Sequence, residues 1–223
     1  MQIPSIPAFD LEMAKAAEAR QAMLTKPLGS LGKLERLGVR LAGMTGKLRP
    51  QFKKKAHIIM AADHGIAKEG VSAFPQEVTP QMVLNFLTGG AAVNVFARMA
   101  EAEVTVVDIG VAYDFKGIEG LIDRKIAWGT QNMLHGPAMT REQAEQAIQI
   151  GIDIANEVMD RGADMIGIGE VGIGNTTPSA TIIAMASGRP VSEVTSRGTG
   201  LDDPGLARKI EIIEAIIERH KND

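Results

Sequence analysis

The segment that decides the fold is MIGIGEVGIGNTTPSATIIAMA, residues 165–186. Its first four residues, Met165–Ile168, form a short apolar run that is typical of a strand buried on both faces. A glycine-rich turn follows. The next helix is predicted over Pro178–Ala186, because Thr177 suits the cap and Pro178 the first helical position. A strand that leads through a turn into a helix is the building unit of α/β proteins.

Three more apolar runs predict strands, and helical stretches separate most of them. The strands are predicted at His57–Ala62, Val104–Ile109 and Arg124–Trp128. This alternation predicts an α/β fold, a Rossmann-like and mostly parallel sheet with flanking helices. With so few strands, one edge of the sheet is expected to be bare. The remaining helices are predicted at Thr79–Ala100, Thr140–Arg161, with a capping box at its start, and Pro204–Arg219.

The N-terminal part of the chain has no strand pattern. A helix is predicted over Asp10–Lys26, with Asp10 as its N-cap and Pro27 as its stop. A second helix over Leu31–Met44 carries a stripe of leucines. We therefore expect part of a small helical subdomain at residues 1–50. An α/β nucleotide-binding domain, truncated on its C-terminal side, is expected at residues 51–223.

The composition excludes several classes of protein. The chain has 223 residues, a net charge of −3 and no cysteine. Disulfides and thiolate metal sites are thereby excluded, and the charge gives no electrostatic case for nucleic acid or an anionic membrane. The N-terminus has no signal-peptide pattern, and no apolar run is long enough to cross a bilayer. A cytoplasmic protein is expected.

The glycine-rich turn predicts a phosphate site. Free amides at the start of a helix, together with the helix dipole, favour an anion. Gly167–Gly172 also matches the dinucleotide pattern G-x-G-x-x-G. That fold expects a strand ending in an acidic residue about 20 residues later, whereas Val194–Gly200 reads as a loop. A Walker A loop is excluded because no Gly-Lys-Ser/Thr follows.

Four polar side chains accompany this turn. Glu170 is a candidate proton acceptor, or else a carboxylate that faces solvent or caps a turn. Asp63 and His64 follow the first strand; Asp63 suits a loop-tying role, and no second ligand supports a metal at His64. Lys209 lies beside an apolar helix stripe and is either solvated or paired with a phosphate. By themselves these residues predict an α/β protein that binds a phosphorylated small molecule.

Several segments, taken in order, resemble the nicotinate-nucleotide–dimethylbenzimidazole phosphoribosyltransferase (CobT) family. The resemblance runs from about Asp10 to the last residue. It rests on the segments Lys26–Glu35, Ala62–Gly65, Glu69–Val71, Pro75–Thr79, Gly169–Thr177 and Lys209-Ile210.

The resemblance implies transfer of phosphoribose from nicotinate mononucleotide to 5,6-dimethylbenzimidazole, giving α-ribazole 5′-phosphate and nicotinate for the lower ligand of cobalamin. It places Glu170 against the reacting base, and Phe74 and Met82 along the benzimidazole slot. Some relatives have Ser and Gln at those two positions, which leaves the lower-ligand base open. The residues that it implies for the nucleotide phosphate and ribose are Gly172, Ile173, Gly174, Asn175, Thr176, Thr177 and Lys209. No metal or cofactor is expected.

The resemblance also implies a homodimer and a longer chain. The family's C-terminal part supplies further strands and the glutamate usually assigned as general base, which has no counterpart here. Three explanations stay open: a truncated fragment, a split enzyme whose other part is a separate chain, and a non-catalytic nucleotide-binding chain. A dinucleotide-dependent oxidoreductase is a weaker alternative.

Overall fold

The computed structural model describes residues 4–221, which form two compact units that divide between Lys53 and Lys54. The N-terminal unit contains α1 (Leu11–Ala22) and α2 (Lys33–Thr45). As predicted, Asp10 caps α1, because its carboxylate accepts a hydrogen bond from the Met13 amide at 2.8 Å. α1 ends at Ala22, before the predicted Lys26.

The leucine stripe of α2 is exposed. Leu34 is 64% exposed and Leu37 is 50% exposed. The buried residues of the two helices are small instead, among them Ala14, Ala17 and Ala42. An apolar stripe in water is the kind of surface that proteins use for contacts with other segments or chains.

The second unit is built on a parallel sheet. Its strands are β1 (Lys55–Ala62), β2 (Ala102–Gly110), β3 (Leu121–Asp123) and β4 (Met165–Val171). They lie in the order β3-β2-β1-β4, and every neighbouring pair is parallel. The predicted α/β fold class is confirmed.

Helices lie on both faces of this sheet. On one face, Ile59 of β1 belongs to the buried cluster that contains Val83 and Phe86. On the other face, Ile58 belongs to the cluster that contains Ile154. Successive strand residues therefore point to opposite helical layers. The helices of this unit are α3 (Val78–Leu87), α4 (Ala92–Ala100), α5 (Arg141–Asp160), α6 (Thr176–Ser187), α7 (Val191–Val194) and α8 (Asp203–His220), with a 3₁₀ turn at Gly65–Glu69.

The predicted helix Thr79–Ala100 is wrong in one respect, since the chain forms two helices there. The break follows Thr88, and Gly89 has a φ of +79°, which suits glycine at a helix end. Taken as one segment, Val78–Ala100 has the length and mean hydropathy, 1.2, of a candidate membrane span. Helices of 10 and 9 residues are each only about 15 Å long, half of a bilayer core. Their apolar residues pack on the sheet.

The predicted strand Arg124–Trp128 is also wrong. The third strand is Leu121–Asp123, and it pairs with β2. It ends where the Asp123 carboxylate accepts a hydrogen bond from the Lys125 amide at 3.0 Å, an Asp-initiated turn. Arg124 and Ile126 still donate single backbone hydrogen bonds to Asp108 and Ile109.

Substitution of Ile154 tests which face of α5 carries the core. Ile154 is fully buried, whereas Ile148 of the same helix is 49% exposed. We expect Ile154→Ala to lower the free energy of unfolding by about 2–5 kcal/mol, because it leaves a cavity. Ile148→Ala should change it by less than about 0.5 kcal/mol. Urea denaturation of both variants measures this, and equal losses would contradict the assigned orientation of α5.

Candidate functional site

The loop between β4 and α6 requires glycine for steric reasons. A Cβ at Gly172 would lie 2.0 Å from the carbonyl oxygen of Ala62, at the end of β1. Gly174 has a φ of +87°, and a Cβ there would lie 3.3 Å from the Ala67 side chain. The loop backbone therefore sits directly on the end of β1 and the turn that follows it.

The start of α6 is open to a ligand. The helix begins at Thr176, its N-cap residue is Asn175, and within the described chain no side chain caps it. The first-turn amides of such a helix lack acceptors within the helix and carry the positive end of the dipole. The predicted cap Thr177 instead lies inside the helix, since α6 starts at Thr176 and not at the predicted Pro178. This helix end suits an anion.

Lys209 brings a positive charge to the same place. Its side chain is fully buried, and Nζ donates hydrogen bonds to Thr176 Oγ1 at 2.6 Å and Ser196 O at 3.2 Å. Burial lowers the pKa of this lysine. None of the described carboxylates forms an ion pair with it. A buried ammonium without a counter-ion, beside a helix start, is a site for an anion.

Glu170 is on the strand that leads into the loop. The sequence pattern predicts it inside the loop, but β4 continues to Val171, so Glu170 is an exposed residue near the strand end. Asn175 Nδ2 donates a hydrogen bond to its Oε2 atom. The sheet and the Asn175 amide therefore fix a carboxylate at the rim of the anion site.

Asp63 occupies the end of the neighbouring strand β1. It is buried, and its Oδ2 accepts a hydrogen bond from the Ala112 amide at 2.8 Å. Its Oδ1 has no hydrogen bond of normal geometry within residues 4–221, although Thr79 and Gln76 lie near enough to lower its pKa. Burial outweighs these contacts and raises the Asp63 pKa overall. This carboxylate ties the loops together, as predicted for a loop-tying residue.

His64 lies against the glycine loop. A Cβ at Gly172 would be 3.1 Å from the imidazole Cδ2. Burial lowers the pKa of His64 to about 4, so the ring is neutral at neutral pH. Within the described residues, no three His, Asp or Glu side chains converge as a metal site.

A cavity of about 750 Å³ opens beside Asp63. The predicted slot residues are not among its lining residues. Phe74 is 53% exposed next to Pro75, and Met82 packs against the core cluster of the sheet. The lining residues of the cavity include Asp63, Gln76, Leu84 and Tyr113.

Sequence reasoning missed the ion pair that holds one wall of this cavity. Lys125 Nζ lies 2.6 Å from Asp108 Oδ2, and both side chains are largely buried. The same ammonium donates to the Tyr113 carbonyl at 3.2 Å and lies 5.0 Å from the centre of the Trp128 ring. It thereby fixes the loop that carries Tyr113. Asp108 lies at the end of an apolar run, but nothing in the local pattern singles out Lys125.

Fold and site together define an α/β protein with an anion site at the carboxyl ends of a parallel sheet, which is typical of nucleotide binding. A family model described as phosphoribosyltransferase matches residues 6–223. The chain belongs to this phosphoribosyltransferase family.

Relatives and solved structures agree with this assignment. A nicotinate-nucleotide–dimethylbenzimidazole phosphoribosyltransferase of Chloroflexus aggregans is 56% identical over 98% of this chain and 62% of its own length. That of Geobacter sulfurreducens is 55% identical over 96% of this chain and 61% of its own. The crystal structure of CobT from Thermus thermophilus superposes with a TM-score of 0.89 at 44% identity, covering 95% of this chain and 64% of that one. The chain thus spans less than two thirds of these proteins.

The glycine loop predicts opposite outcomes for two glycine-to-alanine substitutions. Gly172→Ala should lower the free energy of unfolding by about 3 kcal/mol or more, because the new methyl group meets the Ala62 carbonyl. Gly151→Ala, inside α5 with open space at its Cβ, should raise it by about 0.5–1 kcal/mol. Thermal and urea unfolding measure both. A stable Gly172→Ala variant would contradict the close approach of loop and strand.

His64 predicts a pH dependence of stability. Its pKa is about 4 when folded and about 6.5 when unfolded. The unfolded chain therefore binds the proton first, and stability should fall as the pH drops from about 6.5 to 4, by up to about 3 kcal/mol. In His64→Gln, this part of the slope should disappear. Equal slopes for wild type and His64→Gln in urea titrations at several pH values would refute the assignment.

Proposed function

We propose that this chain binds nicotinate mononucleotide and transfers its phosphoribosyl group to a benzimidazole base. The observation that carries the proposal is the buried ammonium of Lys209, which has no carboxylate partner among the described residues and lies against the first residue of α6. A dianionic 5′-phosphate supplies the missing negative charge. The relatives' names, which include nicotinate nucleotide and dimethylbenzimidazole, give the two substrates.

In this proposal the phosphate lies at the start of α6. The backbone of Gly172, Ile173 and Gly174 follows its surface, because only glycine at two of these positions allows the loop to adopt its path. Asn175, Thr176 and Thr177 then face the phosphate and ribose. Anchoring the phosphate fixes the ribose, so that C1′ is presented in one orientation.

Glu170 is the proton acceptor of the proposed reaction. The bond between C1′ and the nicotinate nitrogen breaks, and the pyridinium leaves as a neutral ring. A benzimidazole nitrogen forms the new bond to C1′ from the opposite face, and the proton on its other nitrogen passes to a carboxylate. Glu170 stands at the rim of the anion site and is oriented by Asn175. No acid is needed for the leaving group.

The cavity beside Asp63 is the proposed place of the acceptor base. Its volume of about 750 Å³ is within the range of small-molecule sites. Tyr113 and Leu84 give it flat and apolar wall area. Phe74 and Met82 stay proposed slot residues on the strength of the family resemblance. Phe74, at 53% exposure, is free to turn toward a ligand.

The resemblance extends the proposal to assembly and location. A cytoplasmic homodimer that needs no cofactor is the expected form. Light scattering of the purified chain measures its mass directly. A separate chain that supplies the family's general-base glutamate is the second assembly to test, by adding such a chain to the assay.

Titration with nicotinate mononucleotide tests the anion site, and Lys209→Met is the informative variant. Methionine keeps most of the length of the side chain but removes the charge. We expect calorimetry to show binding by the wild type and a loss of about 10–100-fold in Lys209→Met, because charge-assisted hydrogen bonds contribute about 1.5–3 kcal/mol. Lys221→Met is the control, since Lys221 pairs with Glu218 at the far end of α8.

Chromatographic assay for α-ribazole phosphate, run on the same samples, separates binding from transfer. Binding with turnover would support Glu170 as the base, and Glu170→Gln should then abolish the product while binding persists. Binding without turnover would mean a nucleotide-binding chain that lacks a competent base. A folded wild type that does not bind would overturn the site assignment.

A further inference from the structure

Thr79 connects α3 to the nucleotide loop. It lies in the first turn of α3 and is fully buried. Its Oγ1 accepts a hydrogen bond from the Ile173 amide at 3.0 Å, in a buried contact between residues far apart in the chain. Ile173 stands between Gly172 and Gly174, the two glycines that the loop path requires. The Thr79 hydroxyl thus holds the middle of the loop.

The same hydroxyl faces Asp63. A hydroxyl group has one proton and two lone pairs. Since Thr79 Oγ1 accepts from Ile173, its proton remains for an acceptor on the other side, and the Asp63 carboxylate is near enough for this hydroxyl to lower its pKa. Asp63 is itself held by the Ala112 amide at 2.8 Å. The hydroxyl thus lies between the Ile173 amide and the Asp63 carboxylate at the end of β1.

From these contacts we infer that Thr79 is a positioning residue for nucleotide binding, one that shapes the phosphate loop without touching the ligand. The inference rests on the proposed function. Removing the hydroxyl leaves the Ile173 amide buried without its acceptor, and a buried unpaired amide is costly. The loop then rotates to satisfy that amide, and the neighbouring amides that face the phosphate move with it.

The test compares Thr79→Val with Thr79→Ser. Valine keeps the shape and removes the hydroxyl, whereas serine keeps the hydroxyl and removes a methyl group. The matched control is Thr105→Val, since Thr105 is also a buried threonine but lies on β2, where its hydroxyl accepts a long hydrogen bond from Arg161 at 3.4 Å. All variants are first checked for cooperative unfolding.

Three measurements test the inference. Calorimetry with nicotinate mononucleotide should show about tenfold weaker binding for Thr79→Val and an unchanged affinity for Thr79→Ser and Thr105→Val. Binding of 5,6-dimethylbenzimidazole should be weakened less than nucleotide binding in Thr79→Val and stay unchanged in the other two variants, because the hydroxyl contacts the phosphate loop directly and the base cavity through Asp63. Amide hydrogen exchange, measured without ligand, should be about tenfold faster at Ile173 in Thr79→Val only.

The outcomes separate this inference from the proposed function. Wild-type nucleotide affinity in Thr79→Val would overturn the positioning role, as would a loss in Thr79→Ser of the same size. Equal loss of nucleotide and base binding would also overturn it, because that result indicates general disruption. If the wild type binds no nucleotide, the proposed function is wrong, and the inferred role of Thr79 in nucleotide binding is wrong as well. The exchange at Ile173 then still decides whether Thr79 holds the loop.

Discussion

The buried carboxylate of Asp63 is the constraint on which the functional end of the molecule depends. Its side chain accepts a hydrogen bond from the Ala112 amide, which fixes the loop after β2. Its backbone carbonyl accepts a hydrogen bond from the Thr130 amide at 3.0 Å. A carboxylate buried at the end of a strand is costly unless it is hydrogen-bonded. Three chain segments are therefore brought to one point, and the glycine loop approaches the same strand end through Gly172. The sheet places the strand ends side by side, and the hydrogen bonds of Asp63 hold the loops around them.

The second buried charged group, the ammonium of Lys209, differs from Asp63 in its hydrogen-bond partners. The Asp63 carboxylate accepts a hydrogen bond from a backbone amide. The buried ion pair between Asp108 and Lys125 lies near it. Among the described residues, the hydrogen-bond partners of the Lys209 ammonium are a hydroxyl and a carbonyl, and burial lowers the pKa of this lysine. Asp63 is held by the Ala112 amide and ties the loops together, although its Oδ1 has no hydrogen bond of normal geometry within residues 4–221. Within the described residues the Lys209 ammonium has no carboxylate partner, and in the proposed function an anion supplies that missing charge. The two groups thus separate structural from ligand-binding electrostatics.

Much of the fold is predictable because its signals are local. The capping box at Thr140 forms as expected, with hydrogen bonds in both directions between Thr140 and Gln143, and the three longer strands coincide with apolar runs. The predictions fail where a non-local contact decides. Lys125 lies in a stretch whose pattern resembles a strand, but its side chain forms an ion pair with Asp108, a contact that the local pattern does not show. The break at Gly89 gives no strong signal within an otherwise helical segment. Thr79 has no distinguishing feature in the sequence, because its hydrogen bond with the Ile173 amide joins two distant parts of the chain.

Binding and transfer make different demands on this site. In the proposed function, the contacts that hold the phosphate persist before and during the reaction and therefore contribute to affinity, whereas the orientation of C1′ that they impose favours the chemical step. In the proposed reaction the acceptor nitrogen loses its proton to Glu170, whose side chain is exposed to water. Edge strand β4 also carries Ile168, which is 83% exposed and lies two residues before Glu170, on the same face of the strand. A segment that covered this apolar edge would also shield the Glu170 side chain from water. The proposed phosphate anchor Lys209 is therefore buried within the chain, whereas the proposed base Glu170 lies on an exposed strand edge.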